Sequence, residues 1–521
     1  MYLSLYTTHV GDVVRRLRPV CGCGPLARYG NIVSMTSVNA SATQKRPGAI
    51  DRYFQISERG STIGTEIRGG IVTFFAMAYI VVLNPLILGT VEDGTGQVLG
   101  GGTLADGGPN LAMIASATAL VAGVMSILMG AIANYPLALA AGLGLNAVVA
   151  FSIAGLPNVT WADAMGVIVL EGIIILILVL TGLRAAVFRA VPTELKTAIG
   201  VGIGLFITLI GLGNAGVVSG DGATILSLGN LGTLPVLVFV VGLVLTIVLH
   251  VRKVRGALLI SILVATALAV TLENTLHIGG RSEDNPGGFN SAPTFDGIFS
   301  MPDFSLIGQF NLLGSFQNIG IVALVLLVFS VMLADFFDTM GTMVAVGGEA
   351  KLLDANGNPP RSTRILLVDS VGAIAGGVGS VSSNTAFVES SAGVGEGART
   401  GLASITTGVC FLLATLFSPL VGLVPYEAAA PALVLVGYLM MTQIAGIDWK
   451  NADIAIPAFL TIAVMPFTYS ISDGIGAGFI AFVIVKLARG KIREIHPLMW
   501  VVSILFVVYF LVDPIRVWLG V

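Results

Sequence analysis

The chain has 521 residues, of which 55% are hydrophobic and only 11% are charged, and its formal net charge is −3. The mean hydropathy is +0.93, and long apolar runs recur along most of the sequence. This composition predicts a polytopic protein embedded in a lipid bilayer. The charges are scattered between apolar runs, which argues against a nucleic-acid-binding surface.

Residues 1–60 are predicted to form a disordered cytoplasmic tail, because they are basic and lack an apolar run long enough for a signal peptide. Met35 offers a second start within this tail. Cys21 and Cys23 form a C-x-C pair without further ligands at suitable spacing, which is a poor metal site because structural zinc takes four ligands. No metal site, cofactor or phosphate-binding loop is predicted anywhere in the chain.

Fourteen apolar segments follow the tail, and two of them are broken by polar or glycine-rich stretches. A last apolar run at 497–512 could cross the membrane, re-enter it or lie on its surface. The first seven segments are predicted at 69–90, 110–132, 137–153 (broken), 161–182, 195–214, 232–250 and 256–273. The second seven are predicted at 318–346, 364–380, 382–396 (broken), 400–423, 427–446, 453–470 and 472–488.

Loop charges test this segment count independently, because basic residues collect in short cytoplasmic loops. With a cytoplasmic N-terminus, the predicted inner loops hold Arg184, Arg189, Arg252, Lys253, Arg255, Lys351, Arg361, Arg364, Lys486, Arg489, Lys491 and Arg493. The predicted outer loops are acidic and hold Glu92, Asp93, Asp106, Asp221, Glu283, Asp284, Asp296 and Asp303, with Arg281 as their basic residue. The pattern favours a multi-pass protein of the plasma membrane with its N-terminus inside.

The segments divide into two halves with the same plan. Residues 61–273 form the first set of seven, 274–317 form an extracellular loop, 318–496 form the second set, and 497–521 form a C-terminal apolar segment. Because seven is an odd number, the two halves must run in opposite directions through the membrane. The predicted fold is therefore an all-α polytopic membrane protein built as an inverted repeat.

Each half contains a broken third segment, AIANYPLALAAGLGLNAVVAF at 131–151 and GVGSVSSNTAFVESSAGVGEG at 377–397. Irregular backbone inside a bilayer persists only where protein or a water-filled cavity satisfies its polar groups. Paired breaks in an inverted repeat indicate the substrate site of a transporter. The alternative is that both stretches are glycine-rich seams for helix packing.

Carboxylates within the apolar layer mark candidate functional residues, because burying one at the bilayer centre costs roughly 2.5–3.5 kcal/mol. Asp335 and Asp338 are spaced to share one helix face, and Glu389 lies within the second break near the start of a predicted half-helix. Glu171 lies within another apolar run, where a structural bond between helices and a transport role are both open.

Three further acidic residues lie near predicted segment ends or breaks, where a capping or solvated role is the default: Asp369, Asp473 and Glu396. Arg399 is close enough in sequence to neutralise Glu396.

Several long motifs resemble those of the AzgA-like adenine/guanine/hypoxanthine permeases of the nucleobase/ascorbate transporter superfamily. They occur in the same order and together cover roughly residues 50–513. The motifs are GGIVTFFAMAYIVVLNPLIL, GLGLNA, ADFFDTMGT, SSNTAFVESSAGVGEGARTGL, IPAFLTIAVMPFTYSISDGIGAGFI and HPLMW.

The resemblance implies fourteen transmembrane segments in a 7+7 inverted repeat, with a core domain that moves against a gate domain in an elevator-like cycle. It implies purine binding by Asn146, Asp335 and Glu389. It links Asp473 to function with a less defined purpose, and the further candidates for supporting or proton-coupling roles are Asp338, Thr339 and Glu171 in the apolar layer. Since the gate domain commonly mediates dimerisation in that superfamily, a homodimer is left open.

One departure from the family pattern is that Val148 and Val149 follow Asn-Ala at the first break, where many members have aromatic residues. Phe74 and Phe387 are candidates to stack on a purine instead.

The predicted function is secondary-active transport of adenine, guanine or hypoxanthine by proton symport, with sodium coupling left open. Alternatives are a uracil, xanthine or small-anion carrier on the same fold, or a channel. An enzyme is disfavoured because the sequence offers no set of nucleophile, base and orienting residue.

Overall fold

The computed structural model describes residues 48–104, 110–182, 191–220, 224–282, 284–295, 297–354 and 357–519. Several sequence predictions fall outside these ranges. They are the tail over 1–47 with Cys21, Cys23 and Met35, the inner-loop residues Arg184 and Arg189, and the outer-loop residues Asp106, Asp221, Glu283 and Asp296.

The first half consists of nine described helices and three short strands. The helices are α1 (Ala49–Phe54), α2 (Ile63–Met77), α3 (Ile80–Gly89), α4 (Leu111–Leu128, continued by the π-helix Met129–Ala133), α5 (Leu143–Ala147, continued by the π-helix Val148–Ala154), α6 (Trp161–Thr181), α7 (Thr193–Asn214), α8 (Leu234–Val251) and α9 (Ala257–Leu276). The strands are β1 (Leu139–Ala141), β2 (Val218–Ser219) and β3 (Ser227–Leu228).

The second half begins within the predicted extracellular loop and contains one further strand. Its described helices are α10 (Leu312–Asn318), α11 (Ile321–Glu349), α12 (Ser362–Val378), α13 (Ser390–Gly395), α14 (Gly401–Ala414, continued by the 3-10 helix Thr415–Leu423), α15 (Tyr426–Met441, continued by the 3-10 helix Thr442–Gly446), α16 (Ala452–Thr468), α17 (Ile471–Ala488) and α18 (Pro497–Leu519), with the short 3-10 helix Ile492–Glu494 before the last. The strand is β4 (Asn384–Ala386).

Ten helical stretches of the described chain are long and apolar enough to cross a membrane. Three shorter apolar helices accompany them, at 143–154, 452–468 and 497–511. The helices lie within a few residues of the predicted segments, because each ends where polar or helix-capping residues interrupt the apolar run. Thr160 and Asp163, for example, form a reciprocal capping box that starts α6. The protein is a mostly helical, polytopic membrane protein.

The structure differs from the predicted disordered tail over residues 48–60. Residues 49–54 form α1, and Phe54 and Ile56 are buried. The Tyr53 hydroxyl donates to the carbonyl of Ala131, and the Arg59 guanidinium donates to the carbonyl of Asn134. Composition did not reveal these contacts, because a short basic segment can be ordered by packing on a folded body.

The predicted extracellular loop lies against both halves of the chain. The amide of Gly308 donates to the carbonyl of Val378, and the amide of Thr294 donates to the carbonyl of Gly422. Ser315 donates to the carbonyl of Asp163 at the start of α6. The described part of this loop therefore packs against the helices and connects their ends.

The helices pack into two groups of neighbours. Helices α2, α4, α6, α12 and α14 contact one another, whereas α7, α8, α15, α16 and α17 pack mainly among themselves. Glycine permits the closest approach in the first group, since a Cβ added at Gly130 would clash with the carbonyl of Gly401, and the converse also holds. Strands β1 and β4 lie among helices of the first group.

Candidate functional site

The two irregular stretches meet at a short antiparallel pair of strands. Leu139, Ala140 and Ala141 of β1 lie opposite Ala386, Thr385 and Asn384 of β4. All six residues are buried, so each strand supplies hydrogen-bonding partners that the other cannot obtain from water.

Additional hydrogen bonds extend this strand pair on both sides. The amide of Gly142 donates to the carbonyl of Ser383, and the amide of Phe387 donates to the carbonyl of Ala138. The amide of Ala138 donates in turn to the hydroxyl of Ser390, the first residue of α13. The paired strands β1 and β4 therefore fix the positions at which helices α5 and α13 begin.

The backbone before β4 is locally strained. Ser380 and Ser382 both have positive φ angles, of 55° and 69°. Such conformations cost about 1–3 kcal/mol each in a residue with a side chain, and they persist only when the surroundings impose them. Gly376 allows α12 to press against this turn, since a Cβ there would clash with the carbonyl of Ser382.

Glu389 lies directly before α13 and is half-buried. Its carboxylate accepts a hydrogen bond of 2.5 Å from the hydroxyl of Tyr79, which is only 1% exposed. Tyr79 occupies the interruption between α2 and α3. The interaction fixes one carboxylate oxygen of Glu389.

The two aspartates of α11 lie in different environments. Asp335 is fully buried, whereas Asp338 is exposed although it interacts electrostatically with both Asp335 and Glu389. The exposed face continues along α11 through Gly341, Ala345 and Gly348 towards the end of that helix. We call this exposed face of α11, beside α13, the cleft; Asp338 lies on it, and Glu389 is close enough to interact with Asp338.

Asp335 belongs to a polar cluster behind this cleft. The Ser383 hydroxyl donates to Asp335 Oδ2 at 3.4 Å. The Thr339 hydroxyl donates to Asp369 Oδ1 at 2.8 Å and lies 2.7 Å from the hydroxyl of Thr385. Ser383 and Thr385 are two residues apart on an extended segment and therefore point to the same side.

Glu171 enters the same cluster from α6. It is fully buried, and its carboxyl lies beside Asp335 and Ser383, with Asp369 also nearby. Neither of its oxygens has a hydrogen-bonding partner among the described residues. Glu171 therefore lies with the predicted site residues, although the sequence left a purely structural role open.

Asn146 lies on α5 and is fully buried, and neither its amide oxygen nor its amide nitrogen has a partner among the described residues. Helix α5 packs against α11, so this unsatisfied amide is held near the same region. Val148 and Val149 are buried in the hydrophobic core. Replacing aromatic residues with valine at these positions therefore changes core packing.

The two aromatic candidates for stacking also have structural contacts. Phe74 packs edge-to-face on Phe411, with ring centroids 5.0 Å apart, and Phe387 is 6% exposed. Phe387 directly precedes the exposed Val388. Of the two aromatic residues, it is therefore the one closer along the chain to Glu389.

Asp473 is not brought into this cluster by any described hydrogen bond. It lies in the first turn of α17, where its amide donates to the hydroxyl of Ser470 and its carboxyl interacts with Ser470 and Thr468. Of the predicted supporting residues, the structure thus brings Asp338, Thr339 and Glu171 close to Asp335 and leaves Asp473 as part of a helix cap.

The predicted neutralisation of Glu396 by Arg399 is wrong. Glu396 instead pairs with Arg68 at 3.1 Å and with Arg255. The Arg399 guanidinium donates to the carbonyls of Val394 and Ala398. Proximity in sequence misled this prediction, because the turn after α13 directs the two side chains to different partners.

Sequence reasoning missed Tyr79, Asp369 and the hydroxyls of Ser383 and Thr385 as neighbours of the site carboxylates. Asp369 was assigned to a segment end, but it lies in the eighth position of α12 and is 1% exposed. Tyr79 belongs to a quoted motif, yet nothing in its local spacing indicates contact with a residue as distant in sequence as Glu389.

The arrangement separates two kinds of carboxyl group. Asp338 and Glu389 can accept hydrogen bonds from a ligand in the cleft, because carboxylates are strong acceptors. Asp335, Asp369 and Glu171 are sealed from solvent and can exchange hydrogen bonds with one another and with hydroxyls. A ligand rich in N–H donors can therefore bind to Asp338 and Glu389. The buried carboxyl groups of Asp335, Asp369 and Glu171 can hold a proton.

Comparisons with known proteins identify the family. The model of the Permease family, Xan_ur_permease, matches residues 64–477. The chain is 38% identical over 461 residues to the guanine/hypoxanthine permease PbuG of Bacillus subtilis, covering 88% of this chain and 99% of that one. It is 37% identical over 462 residues to the adenine permease AdeP of Escherichia coli, covering 88% and 95%.

A further relative is the guanine/hypoxanthine permease PbuO of Bacillus subtilis, which is 41% identical over 458 residues, covering 87% of this chain and 98% of that one. These relatives are named as permeases, which confirms the prediction of a membrane carrier rather than an enzyme.

Solved structures with a similar fold are distant in sequence. The transmembrane domain of the cyanobacterial bicarbonate transporter BicA has a TM-score of 0.53 at 15% identity, covering 80% of this chain and 97% of that one. Murine Slc26a9 has a TM-score of 0.55 at 12% identity, covering 82% and 68%. The family model and the relatives at 37–41% identity agree, and the chain belongs to the Permease family.

Proposed function

We propose that this protein is a secondary-active carrier of purine nucleobases, adenine, guanine or hypoxanthine, across the plasma membrane. The observation that carries the proposal is the similarity, at 37–41% identity over nearly the whole chain, to permeases named for these bases. Purines are flat, neutral molecules edged with alternating hydrogen-bond donors and acceptors, and the cleft offers matching groups.

Asp338 and Glu389 are proposed to accept hydrogen bonds from ring or exocyclic N–H groups of the base. Both reach the cleft, and Tyr79 orients Glu389 through the 2.5 Å hydrogen bond. Asn146 and Asp335 are proposed to line the buried wall behind them and to approach the base as the site closes. A site of this kind rejects analogues lacking a donor, because its own polar groups are then left unpaired.

Transport is proposed to follow an elevator-type cycle in a 7+7 inverted repeat of fourteen segments, with the third and tenth segments broken. The antiparallel pairing of β1 with β4, at corresponding positions of the two halves, supports this arrangement. So does the division of helices into two packing groups. We also propose that the N-terminus is cytoplasmic. Two copies of the chain are proposed to associate through helices α7, α8, α15, α16 and α17.

Proton symport is proposed as the energy source, with sodium as the alternative coupling ion. The buried carboxyl groups behind the cleft support proton coupling, because such groups can take up and release protons within the membrane. A small-anion carrier, despite the fold shared with an anion transporter, is disfavoured because carboxylates face the cleft and would repel an anion.

Uptake of radiolabelled bases tests the proposal in cells lacking their own nucleobase carriers. We expect accumulation of hypoxanthine, adenine and guanine, mutual competition among the three, and loss of accumulation when a protonophore is added. Accumulation of only uracil or xanthine would move the protein to another substrate class. If the internal concentration of a base never exceeds the external concentration, the protein is a channel. If accumulation resists the protonophore and depends on sodium, the coupling ion is sodium rather than the proton.

A further inference from the structure

Glu171 is the central residue of α6, a helix of 21 residues, and it is fully buried. The neighbouring Gly172 allows α6 to lie directly on α12, since a Cβ there would come within 2.6 Å of the backbone nitrogen of Ile374. A carboxyl group at this depth is expensive to retain unless it is used or compensated.

No cation among the described residues compensates its charge. Glu171 faces Asp335 from α11, Asp369 from α12 and Ser383 beside β4. Ion pairs between described residues involve other acids, including Glu396, Glu427, Asp453 and Glu494. Among the described lysines and arginines, none lies within ion-pair distance of this cluster.

The buried carboxyl groups of this cluster can complete their hydrogen bonds only if one of them carries a proton. An ionised carboxylate only accepts hydrogen bonds, so two adjacent carboxylates cannot satisfy each other. Neither oxygen of Glu171 has a donor among the described residues, and Asp335 Oδ1 also lacks one. A proton between Glu171 and Asp335 supplies the missing hydrogen bond and removes one of two uncompensated buried charges.

The cluster is connected to the substrate cleft in two ways. Asp338 is close enough to Asp335 for their charges to interact, and it opens to the cleft, so it can pass a proton to or from water. Ser383, which contacts Asp335, belongs to the same segment that leads through β4 to Glu389. Loss of the proton would set two like charges against each other beside the segment that positions the base.

We propose that Glu171 holds the cotransported proton, shared with Asp335, while Asp338 and Glu389 take the purine. This assignment rests on the proposed function of purine:proton symport and gives Glu171 a defined part in it. Glu171 is then a coupling residue that never touches the base. Removing its ionisable group should separate movement of substrate from movement of protons.

Full-length protein in proteoliposomes provides the test, with radiolabelled hypoxanthine as the substrate and a trapped pH-sensitive dye as the proton reporter. Two modes are measured, namely counterflow into vesicles preloaded with hypoxanthine, and accumulation driven by an imposed pH gradient. We expect Glu171→Gln to retain counterflow within about 3-fold of wild type and to lose accumulation and the dye signal at least 10-fold.

Glu171→Asp is the matched conservative variant, because it keeps a carboxyl group and shortens the side chain by one methylene. We expect it to restore accumulation and to shift its pH dependence. If Glu171→Gln does not fold, the pH profile of Glu171→Asp decides, and an unchanged profile overturns the proposal. Asp303→Asn, a carboxyl-to-amide change in an exposed loop, is the control for handling and reconstitution.

Two results with Glu171→Gln would overturn the inference. One is gradient-driven accumulation and proton movement at wild-type level, and the other is loss of counterflow in a folded protein, which would make the residue structural or substrate-binding. The wild-type protein reports separately on the proposed function. Absence of hypoxanthine counterflow in wild type rejects the substrate, and accumulation without a dye signal rejects proton coupling.

Discussion

Two clusters of buried acids in this protein differ in how their charge is compensated. Asp453, at the start of α16, is 1% exposed and contacts three cations, with Lys491 at 2.7 Å, Arg489 at 3.0 Å and Lys486 at 3.4 Å. Glu171 and Asp335 are equally buried, and neither contacts a cation of the described chain. Compensation by cations is typical of a structural buried acid, whereas uncompensated buried acids cluster at functional sites.

The comparison also predicts different consequences of mutation. Changes at the uncompensated cluster and its cleft should impair transport while the protein still reaches the membrane. Changes at the Asp453 cluster should destabilise the fold while the folded molecules still transport.

Glu389→Gln and Asp335→Asn should each abolish purine uptake, with a loss of at least about 100-fold, because an amide presents a donor where the site needs an acceptor or a proton carrier. Uptake of radiolabelled hypoxanthine is measured alongside the amount of protein in the membrane fraction. Asp303→Asn serves as the matched control. Near-normal uptake by both site variants would remove the cleft and the cluster from the mechanism.

Asp453→Asn should lower the free energy of unfolding by about 1–3 kcal/mol. The substitution leaves three cations without the carboxylate of Asp453. The loss of stability would be larger if these cations were fully buried, but they are partly exposed, and water compensates their charge in part. Thermal unfolding of the purified protein in detergent measures the change. The KM for hypoxanthine should stay within about 2-fold of wild type, and a transport defect at unchanged stability would contradict the division.

Tyr79→Phe should raise the KM for hypoxanthine about 10-fold, since a hydrogen bond to a charged group contributes roughly 1.5–3 kcal/mol and Glu389 is only half-buried. The ring is kept, so folding should be unchanged. Initial rates over a range of hypoxanthine concentrations give the KM. A fall in expression with an unchanged KM would make Tyr79 a packing residue.

Glu494→Gln should produce the smallest effect, and a pH-dependent one. A hydrogen bond from Lys486 lowers the pKa of the exposed Glu494 carboxyl below its usual value. The folded state therefore gains stability from this ion pair above the unfolded pKa of about 4.3, and the gain is lost as the pH falls through the lower folded value.

The difference in melting temperature between wild type and Glu494→Gln should accordingly be small at pH 7 and vanish towards pH 3. A difference that grows on acidification would show that the pair does not act through the Glu494 charge.

Apolar runs in the sequence predicted a polytopic helical protein, and ten helical stretches of the described residues are long and apolar enough to cross a membrane. The count of fourteen segments stays a prediction. The sequence also located both irregular stretches, since Gly142, Ser382 and Asn384 lie within polar or glycine-rich breaks. It placed Asp335 and Asp338 on one helix face, but spacing could not reveal that one is sealed and the other open. That distinction depends on which neighbours cover each side chain.

Contacts between distant parts of the chain were beyond the sequence. Tyr79 reaches Glu389, and Arg68 and Arg255 reach Glu396, through the packing of helices from opposite halves. Local spacing favoured Arg399 for that role and was wrong. The grouping of Glu171 with Asp335 was also invisible, because each lies in an ordinary apolar run with no local sign of its partner.

The pairing of Leu139 with Ala386 has a consequence for biogenesis. While the ribosome is still making the second half, Leu139 can already bond the Ser126 hydroxyl, but the remaining backbone groups of β1 that pair with β4 lack their partners. The first half must therefore wait in an incomplete state until residues 384–386 are inserted. A chain truncated before β4 should be recognised by membrane quality control and degraded, even though most of its helices would already be in place.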